Sequence, residues 1–479
     1  MSGSLFGDKK MKTAVHIECN NFFYGNADSE NESTPKNTVL ENFSLDINYG
    51  EVTLISGASG SGKSTLISLI NGVIPRVVPG VFNGKIFIDG EDASEKSMSS
   101  ISLKVGSVLQ NAESQIINQI VEDEIAFGAE NLGFSASDIA KNVNESCSLM
   151  KLEPQWKTRT LSGGQKQRVV TASTLCMKPD IFIFDEPLAN LDVTGAKILL
   201  DLLKDLCFKG KAIVLVEHRL DIVLPYVDKI YKIENKKASL VENKKEYLKS
   251  QTEIFKDTKE NCITTSDIAL QLCDITKSFG KRNILCSLNE TIYKGERILL
   301  TGENGSGKST LMNIIARLTK QDSGKVIQHF DKRLKNKKAS SAWFKMCGLV
   351  YQNPNYQLFM SSVKDEILFG AEKTDEGKLY ALEIAKRLEL ESLLNRHPQS
   401  LSEGQKRRVT VAAILAQRPK LLLLDEPTVG QDYHTLELLM QTINDVHREE
   451  GTTVISITHD IRCQNALCDR RLLLKDGKF

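Results

Sequence analysis

Two nine-residue stretches, Gly57 to Thr65 (GASGSGKST) and Gly302 to Thr310 (GENGSGKST), each satisfy G-x-x-x-x-G-K-[ST]. No other feature constrains the chain as strongly. Glycines let successive backbone N–H groups turn inward as an anion nest at a helix N-terminus, and a lysine adds a point charge for terminal phosphates. The first loop offers Gly57, Ala58, Ser59, Gly60, Ser61, Gly62, Lys63, Ser64 and Thr65 to a phosphate chain. The second offers Gly302, Glu303, Asn304, Gly305, Ser306, Gly307, Lys308, Ser309 and Thr310. Ser64 and Ser309 supply a hydroxyl for Mg²⁺. Each loop follows an apolar run (Val52 to Ile55; Ile298 to Leu300) and precedes a helix-period segment (Leu66, Leu69, Ile70; Leu311, Ile314, Ile315). A glycine-rich turn with an incidental lysine would not need that strand, loop and helix context.

The loops belong to a longer internal repeat. Gln110 matches Gln352, Ser162 matches Ser402, Asp185 matches Asp425, Asp192 matches Asp432 and His218 matches His459, at offsets between 240 and 245 residues. Recurrence in one order marks a duplication. The expected organisation is a first domain at 11–242, a linker at 243–265 and a second domain at 266–479. Gly25 to Asn37 reads as a polar insertion in the first copy. A flexible linker of that length would span roughly 25 to 30 Å and give an effective concentration of order mM. The two halves are therefore expected to pair within the chain.

At 479 residues, the chain is long enough for two domains with full cores. A net charge of +1 gives no whole-molecule footprint for nucleic acid. The one dense basic cluster, Lys332, Arg333, Lys335, Lys337 and Lys338, reads as a solvated loop. Ten cysteines are scattered without a CxxC pair or a zinc-like spacing, as expected of buried thiols in a reducing compartment. No apolar run approaches the ~20 residues of a membrane span, and the N-terminal MSGSLFGDKKMK lacks a signal-peptide core. The expectation is a cytoplasmic protein whose membrane role, if it has one, comes through a partner.

Apolar runs alternate with helix-period segments in each half, which predicts an α/β core with a mainly parallel sheet. Each half opens instead on alternating strands (Ala14 to Ile17 and Val39 to Ile47; Ala269 to Ile275 and Ile284 to Ile292), an antiparallel β piece beside that core. Ile181 to Pro187 (IFIFDEP) and Leu421 to Pro427 (LLLLDEP) read as buried strands that end in acids. Asp185 and Asp425 can then join the Mg²⁺ shell beside the phosphate loop. Glu186 and Glu426 are placed to orient and deprotonate an attacking water.

Between loop and acidic strand lie LSGGQKQR (Leu161 to Arg168) and LSEGQKRR (Leu401 to Arg408), a serine and glycines opening a helix. With these motifs the chain resembles the ATP-binding-cassette (ABC) ATPases over nearly all of both halves. The resemblance implies two P-loop NTPase domains, each with an antiparallel β subdomain and a helical subdomain, that bind ATP and Mg²⁺. It also implies composite sites. Lys63 would work with Ser402, Gly404 and Gln405, and Lys308 with Ser162, Gly163, Gly164 and Gln165. Gln110 and Gln352 resemble the glutamine that touches Mg²⁺ and the attacking water. His218 and His459 resemble the switch histidine at the γ-phosphate. Tyr24 and Phe279 resemble the aromatic that stacks on adenine, with core packing as the alternative. Asp192 and Asp432 would be acids that communicate between halves.

Glu403 departs from the pattern by replacing a glycine. A carboxylate ~6 Å from phosphate charge would cost roughly 3 kcal/mol at an effective dielectric near 20, so its side chain is expected to point away. The two sites are expected to be unequal.

The segments QNAESQIINQIVEDEIAFGAENLG after Gln110 and QNPNYQLFMSSVKDEILFGAE after Gln352 resemble energy-coupling-factor (ECF) transporter ATPases, importers of vitamins and transition-metal ions such as cobalt or nickel. Ala112 stands where proline is typical. That resemblance implies a membrane scaffold protein and a substrate-capturing membrane protein as partners, with the chain peripheral on the cytoplasmic face of the cell membrane. The competing classes are a soluble tandem ABC ATPase acting on ribosomes or nucleic acid, and a nucleotide-regulated scaffold. The short linker and near-zero net charge speak against the first. The duplicated Lys, Asp, Glu and His speak against the second.

Overall fold

The computed structural model describes residues 12–25, 38–188, 191, 193–251, 266–280, 282–331, 340–464 and 466–479. The chain divides into two compact units, Met1–Gln251 and Thr252–Phe479. Most of the Gly25 to Asn37 insertion, the basic cluster from Lys332 and the second part of the linker lie outside the described residues. The linker's first part forms a helix, Lys244–Gln251, whose Tyr247 is buried and donates its hydroxyl to Ser56 Oγ at 2.6 Å.

The first unit contains strands β1 (Thr13–Tyr24), β2 (Leu40–Asn48), β3 (Val52–Gly57), β4 (Gly80–Ile88), β5 (Glu91–Asp92), β6 (Val105–Val108), β7 (Ile181–Asp185), β8 (Ala212–Val216), β9 (Lys229–Glu234) and β10 (Lys237–Leu240). Its main sheet has the order β10-β9-β3-β8-β7-β6. All neighbours in it are parallel except the β9–β10 hairpin. A second, antiparallel sheet has the order β2-β1-β4-β5.

The second unit contains β11 (Ile268–Phe279), β12 (Arg282–Tyr293), β13 (Arg297–Thr301), β14 (Ser323–Gln328), β15 (Cys347–Val350), β16 (Leu421–Asp425), β17 (Thr453–Ile457) and β18 (Arg470–Leu473). It repeats the plan, with a parallel sheet β15-β16-β17-β13-β18 and an antiparallel sheet β12-β11-β14.

The acidic strands are apolar at consecutive positions because both faces of the parallel sheet are covered. Phe182 and Phe184 join one core, while Ile181 and Ile183 join the other. Leu422 and Leu424 are divided from Leu421 and Leu423 in the same way. Helices Val121–Asn131, Ala136–Met150 and Gly163–Cys176 contribute to the first of these cores, forming a helical layer. Val363–Phe369, Asp375–Arg387 and Glu403–Leu415 do so in the second unit.

The antiparallel strands run longer than their apolar alternation. In β1 the inward phase Val15, Ile17, Cys19 changes to Phe22 across a register shift between Cys19 and Asn21. A β-bulge interrupts the two-residue period without ending the strand.

Both phosphate loops leave the carboxyl end of a central strand, β3 or β13. The acidic strand lies two places away, across β8 or β17. Carboxyl ends of parallel strands are where such sheets collect their ligand-binding side chains.

Candidate active sites

The phosphate loops have the backbone their glycines foretell. Gly57 and Gly302 both have φ of 148°, and a Cβ on either would collide with the carbonyl of Ile233 or Leu474 on the neighbouring strand. The loop then turns into a helix beginning at Lys63 or Lys308. Lys63 Nζ donates to the carbonyls of Gly57 and Ala58, both at 2.9 Å. Lys308 Nζ donates to those of Gly302 and Glu303, at 2.7 and 2.9 Å. Each buried ammonium thus lies across its own loop.

The acidic strands meet these loops. Ser64 Oγ donates to Asp185 Oδ2 at 3.3 Å, and Ser309 hydrogen-bonds Asp425. A hydroxyl and a carboxylate beside a phosphate nest are hard oxygen donors that suit Mg²⁺, which usually retains water and substrate oxygens as further ligands. Among the described residues no group of three or more His, Cys, Asp or Glu forms a metal cage, and this mode of binding needs none.

Glu186 receives Gln110 Nε2 at 2.9 Å and lies 3.4 Å from His218 Nε2. Glu426 lies 3.5 Å from His459 Nε2 and accepts the His459 N–H at 3.4 Å. Burial, and then the charge of Glu186, push the Asp185 carboxyl up to about 7. Burial also acts most strongly on Glu186, but His218, Lys63 and Gln110 outweigh it and hold that carboxyl below its ordinary range. In the second unit burial raises Asp425, and burial followed by the charge of Asp425 pushes Glu426 up to about 8. The halves hold the same residues in different electrostatic balance.

The remaining motif residues fall into local roles. Ser162 and Ser402 cap the helices that follow them, and Gln165 and Gln405 complete a capping box in each. Ser162 N donates to Gln165 Oε1 at 2.9 Å and Ser402 N to Gln405 Oε1 at 3.1 Å. Tyr24 is half exposed and shares a 2.8 Å hydrogen bond with Thr65 of the phosphate loop. Phe279 is also half exposed, under the Lys277 ammonium at 5.2 Å. Asp432 caps the helix Tyr433–Glu450. Asp192 lies outside the described residues.

Glu403 turns toward its own unit. Its Oε1 receives Asn355 Nδ2 at 3.3 Å and Lys406 Nζ at 3.2 Å. In the first unit Lys166 pairs with Glu113 at 2.5 Å. Repeat alignment matches Glu113 with Asn355 and Gly163 with Glu403, so the lysine's carboxylate partner has moved from one segment to the other.

Sequence reasoning missed several supports. Glu124 and Glu366 are buried and accept paired backbone N–H groups from Ile117 and Asn118, and from Phe359 and Met360, at 2.6 to 2.9 Å. Gln115 and Gln357 pin the same segments back to Ser107 and Leu109, and to Leu349 and Tyr351. Glu217 accepts Leu188 N–H at 2.8 Å and His218 N–H at 3.0 Å. Their recurrence in the V-x-D-E and Q-N motifs was the available signal for the first four. Glu217, paired in the repeat with Thr458, offered none.

The sequence profile of the ABC transporter family matches residues 40–189 and 285–429. A Methanosarcina mazei protein, provisionally named an ABC transporter ATP-binding protein, is 33% identical over 92% of this chain and 85% of its own length. The Bacillus subtilis protein YkoD, provisionally named an HMP/thiamine import ATP-binding protein, is 32% identical over 91% of this chain and 87% of its own. Among solved structures, the archaeal ribosome recycling factor aABCE1, in complex with stalk protein aP1, aligns at a TM-score of 0.63. It is 20% identical over 91% of this chain and 87% of that one, a likeness of fold.

Proposed function

The chain belongs to the ABC transporter family and is an ATPase, and from that premise we propose that it powers an ECF-type importer of a vitamin or transition-metal ion. In this reading ATP binds at both phosphate loops, and the family resemblance implies that each would be completed by the signature motif of the other half. At each site a water oxygen bonds to the γ-phosphorus as the bond to the bridging oxygen breaks. The electron pair leaves with ADP, and the water's proton passes to the ionised carboxylate of Glu186 or Glu426. Lys63 and Lys308 hold the β- and γ-phosphates. Ser64 with Asp185, and Ser309 with Asp425, would hold Mg²⁺, which supplies charge stabilisation for the phosphate oxygens. Gln110 and Gln352 orient water, and His218 and His459 keep the carboxylates aligned.

The observation that carries the membrane reading is a groove of about 270 Å³ beside the Gln352 segment. Tyr356, Phe359 and Phe369 line it and are 74%, 66% and 63% exposed. Large aromatics left in water beside a catalytic segment suit a partner's apolar helix. The partners in this reading are a membrane scaffold and a substrate-capturing membrane protein, with the chain on the cytoplasmic face. Among the described residues no helix is long and apolar enough to cross a membrane. The ribosomal alternative has support only from likeness of fold. ATP turnover measured with added membrane extract, and separately with ribosomes, tests the choice. Stimulation by membranes is expected; stimulation by ribosomes alone would reverse it.

A further inference from the structure

Arg407 stands in the first turns of the helix Glu403–Leu415 and is 5% exposed. One end of its guanidinium donates to the Glu426 carbonyl at 2.5 Å, the other to the Gln352 carbonyl at 2.8 Å. A buried guanidinium is costly unless its donors are well placed. Here its planar fork spans two backbone segments, one holding the general base and the other the water-orienting glutamine. Glu426 also has a φ of 50°, in the left-handed region, so the carbonyl Arg407 grips belongs to a strained residue.

The first unit does this differently. The matching residue is Gln167, 2% exposed, whose amide nitrogen has no hydrogen-bond partner among the described residues. There the Gln110 side chain itself reaches Glu186, at 2.9 Å. Next to Arg407, Lys406 donates to Asn355 Oδ1 at 3.0 Å and to Glu403 Oε1 at 3.2 Å. The helix that opens with the signature motif is therefore fastened to the Gln352–Asn355 segment at two points.

We propose that Arg407 is a positioning residue for hydrolysis in the second half, a buried clamp that makes the placement of Glu426 follow the Gln352 segment. The proposal rests on Glu426 being the base at the Lys308 site. Movement of the Gln352 segment pulls one end of the guanidinium, and the other end shifts the peptide that carries Glu426. In the second half this path from the Gln352 segment to the base runs through two backbone carbonyls.

Site-resolved trapping tests this in the full chain. The protein is incubated with 8-azido-ATP and Mg²⁺, with or without vanadate, then irradiated, and labelled peptides are assigned to each half. Label without vanadate reports binding; vanadate-trapped label reports turnover. Arg407→Gln should lower trapping in the second half about 10- to 100-fold, as misplacing a reacting group does, while binding there changes less than about twofold. Arg407→Lys, which keeps a donor and the charge, should recover part of the loss. Equal loss in both halves, loss of binding in step with trapping, or no loss would each overturn the proposal. Absence of second-half trapping in the unsubstituted chain would overturn it together with its premise, and is distinguishable because no substitution is involved.

Discussion

Glu186 and Glu426 have φ of 49° and 50°, left-handed for residues that carry a Cβ. Such a conformation costs of order 1–3 kcal/mol and persists where surrounding contacts over-determine it. Here the Glu186 N–H donates to Val216 O at 2.9 Å and the Glu426 N–H to Ile457 O at 3.0 Å, while each carboxylate meets its histidine. The left-handed turn comes at the residue directly after the strand, where the carboxylate meets its histidine. Glu186→Gln with Glu426→Gln should retain nucleotide and lose roughly 10²- to 10⁴-fold in turnover, checked by steady-state phosphate release beside equilibrium ATP binding. Parent-rate hydrolysis by the double variant would remove both residues from the base role. Glu403 makes a finer prediction. Because it opens the signature motif proposed to complete the Lys63 site, while its charge is engaged by Lys406 and Asn355 in its own unit, Glu403→Gly should change ATP affinity or turnover at the Lys63 site more than at the Lys308 site. Measurement with Lys63 or Lys308 disabled in turn separates them, and equal effects would end the asymmetry. The motif residues were legible because each is required by local chemistry. Arg407 was not, since its partners Gln352 and Glu426 are remote in sequence, and Glu217 was not, since its bond to Leu188 N–H forms only once the strands align.

At the scale of elements, the phosphate loops and acidic strands could be read directly, because the glycine spacing, the short length of the apolar runs and the acids that end them point together to strand ends beside a loop. The first strand of each antiparallel piece, β1 and β11, was read short, since a register shift such as that after Cys19 breaks the alternation that marks a strand. The helices' packing was hidden for a similar reason: it depends on facing surfaces. Trp343 illustrates the point. It is fully buried, donates its indole N–H to Ala316 O at 3.2 Å and carries the Arg317 guanidinium over its ring at 4.1 Å. It therefore ties the short helix Ser341–Met346 to the end of the phosphate-loop helix. Trp343→Ala should destabilise the second unit by about 3–5 kcal/mol, seen by calorimetry as a lowered transition for that unit. An unshifted transition would mean that the helix is held by other contacts.

At the scale of the whole molecule, two related units in one chain carry two phosphate loops whose neighbouring glutamates are held in different electrostatic balance. The exposed aromatics also differ between units: Tyr356 and Phe359 match Ser114 and Ile117 of the first, so the aromatic lining of the groove is not repeated there. Replacing Phe359 and Phe369 by Asp should abolish membrane stimulation of ATP turnover while leaving basal turnover nearly unaltered, measured on the same preparation; retained stimulation would place the docking surface elsewhere. The central claim, that this ATPase drives a membrane partner, is tested most directly by purifying the tagged chain from detergent-solubilised cells and identifying stoichiometric companions by mass spectrometry. The account predicts polytopic membrane proteins, a scaffold and a substrate-capturing component. Ribosomal proteins without any membrane protein would contradict it.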